Sequence, residues 1–268
     1  MEKKTKAAEL FEKLKTGVLQ VYSSEKWREV LNFQARFHHY SWNNMMLILM
    51  QCPHATYVAG YDQWQKMGRY VNQKGGIKIL APHHAMVKDE KTGEKRKVLA
   101  GFHQTTVFDI SQTGGKDIPR LTSELTMDTP VLRAFYSTLR KISPVPVDEV
   151  VLQGDMKGRY RRDTDSIEIK KGMAALQKCK TLVHEMAHAM LHKNTNASRS
   201  MKEVEAEGTA YVVLSYFGFD TSEYSFNYVA GWNASEATAI LKAGDTIQKT
   251  AFKIIGMIEK QREQQTVA

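Results

Sequence analysis

Two histidines and a glutamate stand in the segment His184-Glu185-Met186-Ala187-His188, which has the spacing HExxH. Four residues make slightly more than one helical turn, so on a helix both imidazoles project from the same face and can bind one Zn²⁺. Glu185 then lies beside the metal-bound water and can take its proton as a carbonyl carbon is attacked. The spacing therefore predicts metal-dependent peptide hydrolysis, with His184 and His188 as ligands and Glu185 as general base.

The residues around this motif predict a buried helix from Leu176 to Leu191. Val183, Ala187 and Met190 recur at helical spacing and share one face with Leu176. Two histidines on an apolar helix can also be ordinary core or surface residues, so the motif alone leaves both interpretations open. A third ligand at a suitable place would favour metal binding.

A second helical segment, Lys202 to Leu214, carries three carboxylates in five positions. Glu203 and Glu207 share a face with small and apolar residues, and a buried carboxylate is costly unless it is paired or bound to a metal. We therefore expect Glu203 to be the third ligand and Glu207 to accept a hydrogen bond from a ligand imidazole. Glu205 is expected in solvent. Alternatively, all three acids form a hydrated helix start that the helix dipole favours.

The predicted ligand set has an open position. Two histidines and one carboxylate leave the fourth place of a tetrahedral ion for water, which is typical of catalytic rather than structural sites. The expected cofactor is Zn²⁺, with Mn²⁺ as the alternative, and the expected substrate is a protein or peptide.

A strand pattern precedes the motif. Residues 149–152 indicate a short strand, and residues 158–169 indicate a hairpin that turns at 163–166. A strand next to the active helix can bind extended substrate through backbone hydrogen bonds, so this hairpin is the expected substrate platform. Tyr160 is a candidate catalytic residue that could stabilise an oxyanion, although a tyrosine on a strand commonly serves only packing.

Charge is distributed unevenly over the 268 residues. Residues 1–125 hold 19 Lys and Arg against 12 Asp and Glu, whereas residues 126–268 hold 19 against 17, so most of the net charge of +9 lies in the half without the HExxH motif. The length suits two modest domains, and we place their boundary near residue 125. Helical and strand patterns in both halves predict an α+β fold. The remaining helices are expected at 7–22, 26–37, 42–50 and 236–263, and the remaining strands at 55–61, 76–82, 84–88 and 98–108.

Aromatic and basic residues are interleaved in the first half. Exposed rings can stack on bases while cations contact phosphates, a combination typical of proteins that bind single-stranded nucleic acid. A charge excess can also be a solvated face, and a tryptophan can belong to the core. The candidate DNA-binding residues are Tyr57, Tyr61, Trp64, Arg69, Lys74 and Lys78.

Three features predict a cytoplasmic protein without a membrane partner. Met1 to Lys6 is followed by an amphipathic pattern and not by the apolar core of a signal sequence. Cys52 and Cys179 stand far apart, which does not suit a disulfide framework. The apolar run 42–50 is too short to cross a bilayer.

Both halves resemble a known family. The segments 42–64, 68–71, 77–82 and 107–113 resemble the N-terminal domain of ArdC-type antirestriction proteins. Thr181 to Ala189 together with Glu203 to Glu207 is similar to the metallopeptidase domains of the ArdC and ImmA/IrrE class. The resemblance implies a domain that binds single-stranded DNA and a zincin-like metallopeptidase domain. It also implies that the protein is encoded on a mobile genetic element and protects incoming DNA from restriction by the host.

The resemblance leaves more than one role open. Antirestriction can rest on DNA binding alone, with a purely structural metal site, and an ImmA-like domain can instead cleave a repressor protein. The loop at residues 72–76 carries fewer cations than is usual in such a domain, so we expect weaker DNA binding.

Overall fold

The structure is a computed structural model that describes residues 6–10, 12, 24–72, 75–88, 95–117, 129–219 and 237–267. Residues 6–10 and 12 are helical. The longer helices are α1 (Ser24–Arg36), α2 (Trp42–Gln51), α3 (Tyr61–Lys66), α4 (Thr129–Ile142), α5 (Ala175–Leu191), α6 (Arg199–Tyr216) and α7 (Ala237–Val267). The strands are β1 (Val58–Gly60), β2 (Arg69–Val71), β3 (Ile77–Lys88), β4 (Lys95–Asp109), β5 (Thr113–Gly115), β6 (Val147–Val150), β7 (Gly158–Arg161) and β8 (Ser166–Lys170).

The chain divides into two compact units. Of the described residues, 6–10, 12, 42–72, 75–88 and 95–117 form the first unit, and 24–41, 129–219 and 237–267 form the second. This differs from the predicted division into residues 1–125 and 126–268.

The difference arises because α1 packs in the second unit, although in the chain it lies between two segments of the first unit. The Tyr211 hydroxyl donates to the side-chain oxygen of Asn32 at 2.7 Å. The amide of Gln34 donates to the carbonyl of Gly244 at 3.1 Å. Trp27 and Leu31 of α1 are fully buried. Local sequence patterns carry no information on such long-range contacts, so they could not assign α1 to its unit.

The first unit contains an antiparallel sheet in the order β1-β4-β3. β3 and β4 pair from Ile77 opposite Val107 to Lys88 opposite Lys95, with a register shift between His83 and His84. Residues 84–88 pair with residues 95–99, so the strand expected at 98–108 begins three residues earlier, at Lys95. The strands expected at 76–82 and 84–88 are one continuous strand, which contains the register shift. A second small sheet pairs β2 with β5.

Helix α3 was not predicted. The strand expected at 55–61 ends at Gly60, and the chain turns into a helix at Tyr61. Trp64 on this helix is fully buried, and its ring nitrogen donates to the carbonyl of Phe108 at 3.0 Å. Burial of this large ring, together with the long-range hydrogen bond, stabilises the helix that follows the strand.

The second unit combines a three-stranded sheet with helices. β8 is the central strand, parallel to β6 and antiparallel to β7. Ile167 and Ile169 of β8 are fully buried, whereas the residues between and around them are partly exposed, as the predicted alternation requires. Helix α6 packs against both α5 and α7.

Helix α4 was also not predicted, although the sequence contains a signal for it. Leu132, Phe135, Leu139 and Ile142 recur at helical spacing, and all four are buried. The predicted helix at 236–263 corresponds to α7, and the mixed helix and sheet content agrees with the expected α+β class. No helix among the described residues is both long and apolar enough to cross a membrane.

A close approach brings β7 against the helix that carries the HExxH motif. A Cβ atom on Gly158 would lie 2.5 Å from Cγ2 of Thr181 on α5 and 3.0 Å from the carbonyl oxygen of Glu168 on β8. Only glycine fits here without movement of either element. This contact fixes how near the edge of the sheet lies to α5.

Candidate functional site

Helix α5 presents both histidines of the HExxH motif to one point. The Nε2 atoms of His184 and His188 are 3.0 Å apart. The apolar residues around them, among them Val183 and Ala187, are fully buried and fix the rotation of the helix. The predicted helix from 176 to 191 is therefore confirmed, and it places both imidazoles on the same side.

Helix α6 brings a carboxylate to the same point. An oxygen of Glu203 lies 3.4 Å from Nε2 of His184 and 3.8 Å from Nε2 of His188. Ligands bound tetrahedrally at about 2.1 Å lie roughly 3.4 Å from one another. The candidate ligand atoms of the three side chains all lie within 4.8 Å of one another. They thus have the spacing that a single divalent ion requires.

The outer nitrogen of His184 also has a partner. Its Nδ1 atom lies 3.1 Å from a carboxylate oxygen of Glu207, and the other oxygen of Glu207 lies 3.4 Å from the ammonium of Lys180. The structure therefore places Glu207 where the sequence predicted an outer acceptor. Lys180 balances the charge of Glu207, a contact that the sequence analysis did not anticipate.

A similar chain of contacts supports His188, and the sequence analysis missed it. The Nδ1 atoms of His188 and His192 are 2.8 Å apart, and Nε2 of His192 lies 2.9 Å from a carboxylate oxygen of Glu205. If His188 binds a metal through Nε2, its Nδ1–H donates to His192, whose Nε2–H donates to Glu205. All three groups are then satisfied without an extra proton.

The prediction for Glu205 was wrong. Glu205 was expected in solvent, but it is only 6% exposed, and His192 beside it is only 2% exposed. His192 follows His188 by four residues, so it stands one helical turn further along α5. That spacing was the signal in the sequence from which this support could have been predicted.

Glu185 is held at the edge of the sheet. It is 8% exposed, and one of its carboxylate oxygens accepts a hydrogen bond from the backbone N–H of Tyr160 at 2.8 Å. Burial raises the pKa of Glu185 above its usual value, and the neighbouring His184 and His188 offset part of the rise. A carboxyl group with a raised pKa is suited to accept and return a proton near neutral pH.

The ligand side chains also have shifted pKa values. Burial lowers the pKa of His184, but hydrogen bonds with Glu203 and Glu207 outweigh this effect and raise it to about 9. Hydrogen bonds from the two imidazoles hold the pKa of Glu203 well below its usual range. The cluster therefore attracts positive charge, and a proton and a metal ion compete for the same imidazole nitrogen.

Tyr160 contributes its backbone rather than its hydroxyl to this geometry. The hydroxyl donates to Asp165 at 2.6 Å, and Asp165 also pairs with Lys193 at 2.6 Å. Burial and the contact with Asp165 raise the pKa of Tyr160 to about 12. The hydroxyl thus stabilises the turn of the hairpin, whereas the role expected for it was to stabilise an oxyanion.

Two of the candidate DNA-binding residues are structural, which corrects the sequence-based expectation. Trp64 is fully buried, so no base can stack on it. Arg69 is 9% exposed, and its guanidinium donates to the side chain and carbonyl of Thr113 and to the carbonyl of Lys116. These hydrogen bonds join β2 to β5, so the cation is not available to a phosphate.

The other candidates remain at the surface or lie outside the described residues. Tyr57 is 42% exposed and Tyr61 is 51% exposed. Lys78 is partly buried, and its ammonium donates to the hydroxyl of Thr106 at 2.7 Å. Lys74 lies outside the described residues. Tyr70, which is 62% exposed on β2, is a surface ring that the sequence analysis did not single out.

Comparisons with known proteins agree with the resemblance of the first half. Residues 2–108 match the family described as the N-terminal domain of anti-restriction factor ArdC. The chain is also 28% identical over 305 residues to an uncharacterized protein of Bacillus anthracis, and this match covers 96% of this chain and 52% of that protein. The chain therefore spans about half the length of this curated relative.

The fold resembles two crystal structures of the antirestriction ArdC protein from the R388 plasmid. The metal-free structure has a TM-score of 0.53 and 21% identity, covering 83% of this chain and 85% of its own. The Mn(II)-bound structure has a TM-score of 0.52 and 19% identity, covering 83% and 84%. Identities this low establish a shared fold and no more. The resemblance of the second half to ImmA/IrrE domains stays a prediction.

Metal binding should stabilise the protein, and its strength should depend on His192. A ligand at 100 times its Kd stabilises the folded state by about 2.7 kcal/mol. We expect Zn²⁺ or Mn²⁺ to raise the melting temperature of the natural protein, and Glu203→Ala to abolish the rise. Loss of an outer partner of a ligand typically weakens metal binding by about 10- to 100-fold. His192→Ala should therefore shift the metal titration to higher concentrations by that factor.

The control is His39→Ala, which removes an exposed histidine of the same unit outside the cluster. Each variant is compared with its own metal-free melting temperature, so a general loss of stability does not count as a loss of metal binding. Equal metal affinity of His192→Ala and His39→Ala would contradict the assigned role of His192.

Proposed function

We propose that this protein is a metal-dependent peptidase with an antirestriction role, whose first unit binds single-stranded DNA. The proposal of peptide hydrolysis rests on one observation. The buried carboxylate of Glu185 lies beside three side chains that converge on one point. Support for the antirestriction role comes from the match of residues 2–108 and from the fold shared with the ArdC protein.

The residues that would hold the ion are His184, His188 and Glu203. Nitrogen and carboxylate donors suit Zn²⁺ and also Mn²⁺, and the Mn(II)-bound structure of the related fold favours a divalent ion of this kind. When bound, the ion supplies Lewis-acid polarisation of a water molecule and of the scissile carbonyl. Glu207 and His192 orient the two imidazoles for this task.

Glu185 transfers the proton in the proposed reaction. The water oxygen bonds to the carbonyl carbon while Glu185 accepts a proton from the water. The same proton then passes to the amide nitrogen as the carbon–nitrogen bond breaks, which yields a carboxylic acid and an amine. The proton of the new acid then moves to the amine, so the final products are a carboxylate and an ammonium group. The N–H of Tyr160 holds one oxygen of Glu185, so the other oxygen is the one that exchanges the proton.

The proposed DNA-binding surface lies in the first unit and is narrower than the sequence suggested. Trp64 and Arg69 are removed from it by burial, whereas Tyr57 and Tyr61 are exposed rings of the kind that stack on bases. The net charge of +7 over residues 1–125 provides attraction to phosphates.

Glu185→Gln tests the peptidase directly. Removal of a general base typically slows a reaction by about 100- to 10,000-fold. We expect the variant to lose cleavage of a labelled protein substrate by at least that factor and to keep its metal, because the three ligands are unchanged. Asp148→Asn, at an exposed acid on β6, is the matched control and should cleave at the natural rate.

The same variants can be tested for protection of unmodified DNA that enters a restricting host. Loss of protection in Glu185→Gln would link hydrolysis to antirestriction. Full protection by this variant would show instead that the protein acts as a DNA-binding shield. Absence of hydrolysis by the metal-loaded natural protein on every substrate tried would contradict the peptidase proposal.

Replacement of both exposed tyrosines tests the DNA-binding surface. Stacking on an aromatic ring contributes about 1–3 kcal/mol per base. Tyr57→Ala/Tyr61→Ala should therefore weaken binding of a single-stranded oligonucleotide at least about 10-fold, as measured by fluorescence anisotropy at several salt concentrations. Phe252→Ala, which removes a 53% exposed ring in the second unit, is the control. Equal affinity of the two variants would exclude the tyrosines from the interface.

A further inference from the structure

The cleft beside Glu185 is mainly polar. It has a volume of about 430 Å³ and is bounded by β7, the hairpin turn, α5 and the start of α6. Its lining includes no aliphatic side chain among the residues that the structure describes. Most ligand pockets are lined mainly by apolar groups. A cleft with a polar lining therefore favours a polar or charged substrate.

Four cations line this cleft: Arg159 on β7, Arg162 in the hairpin turn, and Arg199 and Lys202 at the start of α6. The acids in the lining are Glu185 and Glu203, whose two charges a bound divalent ion would balance. The cations of the lining that lack a carboxylate partner are therefore the unbalanced charge of the cleft.

The cations differ in how far they are already engaged. Arg159 pairs with Glu168 at 2.7 Å, and Arg161 contacts the same carboxylate at 3.2 Å and also pairs with Asp163, so the charge of Arg159 is already balanced. Arg162 donates to the carbonyl of His192 at 2.6 Å, which fixes its position without neutralising it.

Arg199 and Lys202 form no ion pair with any carboxylate in the described part of the chain. Arg199 is exposed, and Lys202 is partly exposed. Both side chains are therefore available to a ligand that enters the cleft. Arginine and lysine bind carboxylates through charge-assisted hydrogen bonds, which are about twice as strong as neutral ones.

The neighbouring backbone favours a peptide as the occupant. β7 lies at the edge of its sheet, and the N–H of Tyr160, which points away from β8, reaches Glu185. Gly158, two residues earlier, presents its backbone groups on the same outer side. An extended peptide can add along such an edge and pass next to Glu185.

We propose that this cleft selects an acidic peptide segment, with Asp or Glu close to the bond that is cut. The inference rests on the proposed peptidase function and adds its substrate class. The cations at Arg199 and Lys202 bind the acidic side chains, and the edge of β7 aligns the backbone. A peptide with large aliphatic residues at these positions has no apolar surface to bury here.

Binding can be measured separately from cleavage. Metal-loaded full-length protein with Glu185→Gln is titrated against a fluorescent peptide that carries several glutamates, and against the same peptide with glutamines. We expect the acidic peptide to bind at least about 10-fold more tightly at low salt, and the difference to shrink as salt screens the charges. Adding Arg199→Ala/Lys202→Ala should remove most of this difference.

The control for lost positive charge is Lys171→Ala/Lys253→Ala, at two exposed lysines of the same unit outside the cleft. This control should bind the acidic peptide as the parent does. Equal binding of acidic and glutamine peptides would overturn the inference. A second result would also overturn the inference: the acidic peptide does not bind, and Arg199→Ala/Lys202→Ala weakens binding of an oligonucleotide.

The outcomes separate this inference from the proposed function. If the acidic peptide binds tightly and in a charge-dependent way but the natural protein does not cleave it, the proposed selectivity of the cleft is supported and the peptidase proposal is contradicted. Cleavage of aliphatic and acidic peptides at equal rates would retain the peptidase and reject the specificity.

Discussion

The second unit depends on the pairing of acids on helix α6 with histidines on α5 and at its C-terminal end. Glu203, Glu205 and Glu207 all meet these histidines, and each contact spans the two helices. An unpaired buried carboxylate costs several kcal/mol, and this cost applies to Glu205, whereas Glu203 and Glu207 are partly exposed. The contact of Glu205 with His192 therefore favours the register that matches acids to imidazoles. This same register brings two imidazoles and a carboxylate to one point. The geometry of the candidate metal centre therefore follows from the electrostatic requirement of the fold.

The first unit shows the same preference for internal partners. Trp64 and Arg69 have the side chains most suited to bind nucleic acid, yet their partners, Phe108 and Thr113, lie 44 positions further along the chain. The ring fills the core, and the guanidinium joins two strands. A buried guanidinium needs acceptors, and the carbonyl groups of the neighbouring strand provide them. Any DNA-binding surface of this unit must consist of the residues left outside, such as Tyr57 and Tyr61.

Sequence-based prediction succeeded where the interactions are local in the sequence and failed where they join residues far apart in the chain. The HExxH spacing and the faces of two helices are local properties, so His184, His188, Glu203 and Glu207 could be expected together. Glu205 was misplaced because its burial depends on a contact with His192, and the four-residue spacing from His188 to His192 was not used. The positions of Trp64, Arg69 and helix α1 likewise depend on partners far away in the chain, which propensity and periodicity do not reveal. The comparisons with ArdC agree with the fold and leave the chemistry to experiment.

We propose that one divalent ion binds to His184, His188 and Glu203 in the second unit. X-ray absorption spectroscopy on protein loaded with one equivalent of Zn²⁺ tests it most directly, because the spectrum reports the type and number of ligands. We expect two imidazole nitrogens with additional oxygen ligands at about 2.0–2.2 Å, and the loss of one imidazole in His188→Ala. A spectrum with sulfur ligands, or one that His188→Ala leaves unchanged, would contradict it.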